Sequence, residues 1–512
     1  MSDEDKIQQA VFAFLADPAT HGGAKVTRID THAASVFLAG DRVFKVKRAV
    51  RFPFLDYSTL EKRKAACEAE LSVNAPYAPD IYRGVVPITR EANGKFAIGG
   101  SGVPAEWTVN MQRFDEKRTL DHLAGEIDEA LADALGRAVA AAHAKTPVVD
   151  AEKWIAALGG YVDEHRQAFG QYPDIFAAQE IEALAGESRN AYQHIVPLLR
   201  GRARHGFVRR IHGDLHLGNI ALIDGKPVLF DAIEFSDIIA TGDVFYDLAF
   251  LLMDLLERGF APAANVVLNR YLTQTRRVEN LDALAMLPFF LSMRASIRAL
   301  VTAARRERAK ASDRVSIARA ARAYFEFAQQ AISPPAPQFV AVGGLSGTGK
   351  TKLARALAPE LKPMPGAVVV RSDVERKALF GIDEAAKLSA DAYNDKVTAR
   401  VYATLNDKAH RILAAGHSVI IDAVFAQPQE RSAISQAAKS AKLPLRGLFL
   451  TADLGTRLAR VGNRAHDASD ADTKVAQAQE RYDLGEVDWT EIDASGTPEN
   501  TLAEAKVALA SA

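Results

Sequence analysis

Two stretches of this chain gather side chains of the kind that handle phosphate. In HGDLHLGN, residues 212–219, Asp214 sits in a turn with Asn219 five residues on, and in VLFDAIEF, residues 228–235, Asp231 ends the next apolar run. A carboxylate that can orient the proton of an acceptor hydroxyl, followed by an amide and a carboxylate that can hold Mg²⁺ against nucleotide phosphates, suits phosphoryl transfer. Such a transition state mainly needs positioning and charge neutralisation. Asp214 and Asn219 alone would read as loop capping, and Asp231 is what makes them a set. In the second stretch, GLSGTGKT, the residues Gly344, Gly349, Lys350 and Thr351 satisfy G-x-x-x-x-G-K-[ST] between the apolar FVAVGG and the helical TKLARALA. There the backbone amides through Ser346, Gly347 and Thr348 can curl around phosphate, Lys350 can reach the terminal phosphates, and Thr351 can coordinate Mg²⁺.

These groups need elements to hold them. SVFLAG, DRVFKVKRAV, IYRGVVPI, KFAIGG and EWTVNMQRF alternate as strands, with a helix from about Ser58 to Asn74 among them. From about Leu120 to Ala144, and from Asp150 to Arg200, the period turns helical. Two short strands flank residues 221–231, and helices continue to about Gln330. SPPAPQ, residues 333–338, marks the clearest boundary. The expected architecture is an α+β bilobal N-terminal domain, residues 1–332, with a small lobe to about 111 and a helical lobe from about 112. A proline-rich linker, 333–338, leads to an α/β domain, 339–512, with a doubly wound parallel sheet. In that sheet Asp373, ending AVVVRSD, and Asp422, ending HSVIID, would lie at the carboxyl ends of strands beside the phosphate loop.

HGDLHLGN followed by LFDAIEF resembles the catalytic and metal-binding segments of the aminoglycoside phosphotransferase family, which shares the protein-kinase fold. GDVFYDLA, with Asp243 and Asp247, is similar to the segment whose aspartate braces the catalytic loop. The resemblance covers roughly residues 30–300. It implies a strand lysine gripping nucleotide phosphates, Lys45 rather than Lys47 of VFKVK, with Glu68 or Glu70 as its helix partner. It also implies that WTVNM, ending at Met111, links the lobes and meets adenine, with ATP or GTP as the nucleotide. No glycine-rich loop stands near Thr31 to Ser35.

The second domain resembles the small P-loop kinases that include gluconate kinase, chloramphenicol phosphotransferase, zeta toxins and polynucleotide 5′-hydroxyl kinases. That likeness implies Asp373 as general base and Arg376 as its substrate or phosphate partner. Asp422 would order Mg²⁺ or face substrate. TRLARVGNRAHDASDAD, residues 456–472, would be a lid whose Arg460 and Arg464 neutralise the transferring group, and WTEIDASGTPENTLAEA a last strand, an adenine loop and a closing helix. The alternative for Asp373 is a helix N-cap.

Composition narrows the classes. The chain has 512 residues, 48% hydrophobic and 25% charged, with a formal net charge of -1, which is globular and carries no global field toward nucleic acid or anionic lipid. Cys67 is the only cysteine, which excludes an intrachain disulfide and a cysteine-built metal site. The acidic, amphipathic start lacks the pattern of a secretory signal, and LAFLLMDLL from Leu248 is interrupted by Asp254 and too short to cross a bilayer, so a cytoplasmic protein is expected. His212 and His216 lack the third ligand that zinc requires and read as turn residues. From Arg294 to Arg322 nine basic residues face only Glu307 and Asp313 without interleaved aromatics, a solvated or domain-facing stripe more than a nucleic-acid surface. The reading is a bifunctional phosphotransferase acting on small hydroxyl acceptors. Its rivals are a polynucleotide 5′-kinase activity in the second domain, and a nucleotide-sensing module that regulates the other.

Overall fold

The computed structural model describes residues 3–52, 55–462 and 468–510. Two compact units emerge: Met1–Glu164 with Val196–Asp254, and His165–Ile195 with Leu255–Ala512. Residues 333–338 lie in the second, irregular, between helix Arg314–Ile332 and strand Phe339–Gly344.

In the first unit an antiparallel sheet runs Val26–Asp30, Ala34–Ala39, Arg42–Lys47, Val103–Gln112, Tyr82–Arg90, Phe96–Ile98. Strand alternation sorts its faces. Phe44 and Val46 pack with Val11, Phe12 and Leu15 of helix Asp3–Ala16. Val43 packs on the opposite face with Cys67 of helix Leu60–Asn74, and Lys45 and Lys47 fall on that same face. Thr59 caps the helix through Lys62 N–H, which sets its start and so its inward residues. The turn after Val26–Asp30 contains no glycine and is closed by Thr31, whose backbone and hydroxyl bond Ala34.

The helical part departs from expectation in two places. Helix Glu129–Lys145 begins only where Asp128 caps it through Leu131 N–H, and residues before it form short 3-10 turns. The tract after Asp150 is two helices, Glu152–Phe169 and Ala178–Arg204, because GQYPD supplies a glycine and a proline between them.

The second unit holds a five-stranded sheet in the order Val368–Arg371, Val419–Asp422, Phe339–Gly344, Leu445–Thr451, Thr490–Asp493, every pairing parallel. The strand order reverses beside Phe339–Gly344, where the phosphate loop leaves the sheet, as in doubly wound folds. The outer strand Val368–Arg371 does not end in solvent. Asn269 of helix Ala261–Thr275 accepts from Val369 N–H at 2.7 Å and donates to Ala367 O at 3.1 Å, and Asn265 donates to the same carbonyl at 3.0 Å. Arg270 pairs with Glu384 at 2.6 Å on the same side. The stretch Glu279–Arg308 is long and apolar enough to cross a membrane, yet 67% of its apolar window is buried within the protein. Much of the basic run is committed internally: Arg294 is buried, Arg298 lies over the Tyr324 ring, Arg306 pairs with Asp174 and Arg322 with Glu180 and Glu326.

Candidate active sites

The first site is built on strand Arg42–Lys47. Glu70, fully buried, lies 2.8 Å from Lys45 Nζ and 2.6 Å from Lys47 Nζ. Burial pushes the Glu70 carboxyl up, but the two ammonium groups outweigh it and hold it at about 2. Glu68 is exposed on the other side of the helix near Lys64, so the structure selects Glu70. Lys45 also reaches Asp231 Oδ1 at 2.7 Å. Lys47 turns to Glu234, whose carboxylate also accepts from Tyr57 OH. Both ammonium groups are held charged, since these carboxylates overcome the effect of burial.

Asp214, Asn219 and Asp231 come together through a hairpin. Strands Ile220–Ile223 and Lys226–Leu229 pair with Ile220 opposite Leu229, so Asn219 enters the hairpin where Phe230 and Asp231 leave it. Phe230 N–H donates to Asn219 O at 3.0 Å, and Asn219 Nδ2 donates to Asp214 Oδ2 at 3.1 Å. The Asp214 and Asp231 side chains remain 41% and 47% exposed, open to a ligand. Asp231 has φ 61, a left-handed conformation that costs energy in a non-glycine residue and is held by its N–H bond to Tyr82 OH and by the neighbouring Ala232, which Asn74 grips on both backbone sides. The Asp231 carboxylate and the Asn219 amide oxygen are hard donors of the kind that suits Mg²⁺.

Asp247 accepts from both His212 N–H, at 2.9 Å, and Gly213 N–H, at 3.0 Å, and meets His143 Nε2 at 3.1 Å. Asp243 does different work: Arg202 holds it by paired contacts of 2.7 and 2.9 Å, and it bonds Phe245 N–H at the start of helix Val244–Glu257. His212 Nε2 donates to Phe230 O at 2.9 Å, and burial lowers its pKa, so the ring is a neutral structural strut. His216 Nδ1 accepts from Gly218 N–H. Among the described residues no cluster of three His, Cys, Asp or Glu could hold a metal. Met111 lies inside the sheet, opposite Val43 on one side and Tyr82 on the other, so the chain leaves the sheet only after it.

In the second unit Gly344, Gly347 and Gly349 have φ of 135, 88 and 95. A Cβ on Gly347 would fall 2.6 Å from Arg457 O, whereas one on Gly349 would meet nothing, so Gly349 borders open space at the N-terminus of helix Lys350–Leu357. Thr348 Oγ1 donates back to Leu345 O, and Lys350 Nζ rests on that same carbonyl at 3.1 Å. Thr351 Oγ1 donates to Asp422 Oδ2 at 2.6 Å, and Arg371 touches both, at 3.2 and 3.3 Å. A hydroxyl and a carboxylate beside a cradle of amides fit a Mg-nucleotide.

Asp373 occupies the first turn of helix Ser372–Leu379 without capping it. Burial raises its carboxyl above the usual range, with Arg371 and Lys350 opposing and Asp422 adding to the rise. Arg376 is bound to Ala392 O at 2.8 Å and to Thr398, and stacks on Tyr393. Arg460 bonds Gly496 O at 2.9 Å, in the loop after strand Thr490–Asp493. Arg464 lies outside the described residues. Besides Arg371, Arg457 touches the phosphate loop and is almost fully buried: its Nε donates to Ser346 O at 2.9 Å, while Gln479 Oε1 accepts from Ser346 N–H at 2.7 Å. Sequence reading passed over Arg457, Gln479, Asn74 and Arg371. Only Arg371, in the VVVRSD run that carries Asp373, had a local signal.

Residues 94–286 match the phosphotransferase enzyme family model, and residues 339–483 match an AAA domain model. An uncharacterized protein from Mycobacterium bovis and one from Mycobacterium tuberculosis are each 28% identical over 497 residues, spanning 93% of this chain and 94% of theirs. Among solved structures, a gluconokinase from Sinorhizobium meliloti is 21% identical with TM-score 0.26, covering 34% of this chain and 93% of that one. The GDP complex of aminoglycoside 2′-phosphotransferase-IIIa is 16% identical with TM-score 0.37, over 62% and 99%. A choline/ethanolamine kinase family protein from Mesorhizobium loti is 15% identical with TM-score 0.37, over 64% and 99%. The chain is an enzyme of the phosphotransferase class, a kinase-like N-terminal domain followed by a P-loop kinase domain.

Proposed function

We propose that the chain is a bifunctional ATP-dependent phosphotransferase, with residues 1–332 and 339–512 each moving a γ-phosphate to the hydroxyl of a small molecule in the cytoplasm. The observation that carries this reading is the presence of a separate phosphate-handling constellation in each unit: Lys45, Glu70, Asp214, Asn219 and Asp231 in one, Lys350, Thr351, Asp373 and Asp422 in the other. In the first, Asp214 orients the acceptor hydroxyl, Lys45 steadies the phosphates, and Asn219 and Asp231 would hold Mg²⁺; backbone near Met111 would receive adenine, with GTP able to replace ATP. In the second, Lys350 and the loop amides other than those of Gly344, Ser346 and Thr348, which bond within the protein, receive the phosphates, and Thr351 and Asp422 would hold Mg²⁺. Mg²⁺, when bound, supplies charge neutralisation at the transferring group. Asp373, whose carboxyl burial raises above the usual range, would take the acceptor proton. Arg376 shapes the acceptor side, and Arg460 and Arg464 would be the arginines that neutralise the phosphoryl group.

The test is ADP release by the intact chain against a panel of hydroxyl compounds and a 5′-hydroxyl oligonucleotide, repeated with Asp214→Ala and Lys350→Ala. Each substitution is expected to abolish one acceptor-stimulated reaction by at least about a hundredfold and leave the other. Joint loss in both variants would replace independent enzymes with one module gating the other, and stimulation by the oligonucleotide alone would replace the small-molecule acceptor.

A further inference from the structure

The HGDLHLGN loop follows one face of helix Val244–Glu257 residue by residue. Asp247, Phe250 and Asp254 stand at i, i+3 and i+7, hence on one side of the helix. Asp247 takes the N–H groups of His212 and Gly213, the Phe250 ring packs against His216 with centroids 5.5 Å apart, and Asp254 Oδ2 accepts from Leu217 N–H at 2.9 Å. Helix and loop thus advance together, and the two carboxylates grip opposite ends of the loop. Asp254 is 1% exposed and Leu217 fully buried. A carboxylate placed in the apolar run LAFLLMDLL has no place in a core unless its oxygens are used. Leu217 opens the turn Leu217–Asn219, which delivers the Asn219 amide to Asp214.

We infer that Asp254 is a second positioning residue for this site, dedicated to the metal-holding half of the loop as Asp247 is to the half bearing Asp214. This rests on the reading of Asp214 and Asn219 as a phosphotransfer site. With Leu217 N–H left without its acceptor, the 217–219 turn loosens, and the Asn219 oxygen is no longer presented at a fixed place. The loss should appear in the Mg²⁺ requirement before it appears in nucleotide affinity.

The experiment uses the full chain carrying Lys350→Ala, so that the second site is silent, and measures ATP turnover and binding of a fluorescent ATP analogue across a Mg²⁺ titration. Asp254→Ala is expected to raise the half-saturating Mg²⁺ on the order of tenfold while metal-free analogue binding holds. Asp254→Asn, which still offers an oxygen to Leu217 N–H, is expected to stay within about threefold of the parent and also covers the case in which the alanine variant does not fold. An unchanged Mg²⁺ requirement in a folded Asp254→Ala, or an equal rise in the asparagine variant, overturns the inference. Asp214→Ala in the same background separates the two failures: if it leaves turnover intact, the site reading falls, whatever Asp254 does.

Discussion

Glu70 is a single buried carboxylate shared by two ammonium groups, that of half-buried Lys45, which continues to Asp231, and that of buried Lys47, which continues to Glu234. Removing the Glu70 charge leaves Lys45 with Asp231 and Lys47 with Glu234 but takes away the carboxylate the two like charges share, a cost of up to about 3–5 kcal/mol. Because the Glu70 pKa is lowered to about 2 in the fold, its contribution is fully present above the ordinary glutamate range and is lost as pH falls toward that value. Glu70→Gln should therefore melt well below the parent at pH 7, with the gap narrowing by about pH 3, because below the ordinary glutamate range the unfolded chain binds a proton that folded Glu70, held at about 2, does not. Thermal melts at both pH values check this, and a gap independent of pH would mean that the ion pairs carry little of the stability.

At the scale of elements, helix Ala261–Thr275 serves as the missing neighbour of strand Val368–Arg371. The Asn269 amide presents a donor and an acceptor with the spacing of a peptide group, so it pairs with Ala367 O and Val369 N–H as another strand would. That closes an edge that would otherwise be open to association. It also anchors the strand whose end carries Arg371 and leads into Asp373. Asn269→Leu should cost about 1–3 kcal/mol, the penalty of leaving Val369 N–H without its acceptor. Denaturant unfolding would register this, and amide exchange at Val369 should accelerate; protection unchanged from the parent would show that the strand edge is held by other means.

For the whole molecule, the Mycobacterium relatives align across both units, so the pairing of the two domains in one chain is shared with them. If both constellations receive nucleotide, calorimetric titration of the intact chain with a non-hydrolysable ATP analogue and Mg²⁺ should give two equivalents, and Lys350→Ala should give one. Retention of the full stoichiometry in that variant would place the second equivalent elsewhere. Bound nucleotide should also raise the melting temperature, and by less in the variant, in line with mass action.

Local pattern alone determined a good deal. The phosphate loop was legible because its glycines answer to backbone geometry within eight residues, and Gly347 and Gly349 do adopt left-handed φ. Asp214, Asn219 and Asp231 were legible because a hairpin with one register joins them. The choice between Glu68 and Glu70 was not, since a helix offers both and only the sheet packed against it decides which one turns inward. Nor could spacing show that Arg457, rather than Arg460, reaches the phosphate loop, or that Asn74 and Asp254 serve backbone groups 158 and 37 residues away. Those assignments depend on which N–H and C=O groups the folded loops leave unpaired, a property that exists only once the chain has closed on itself.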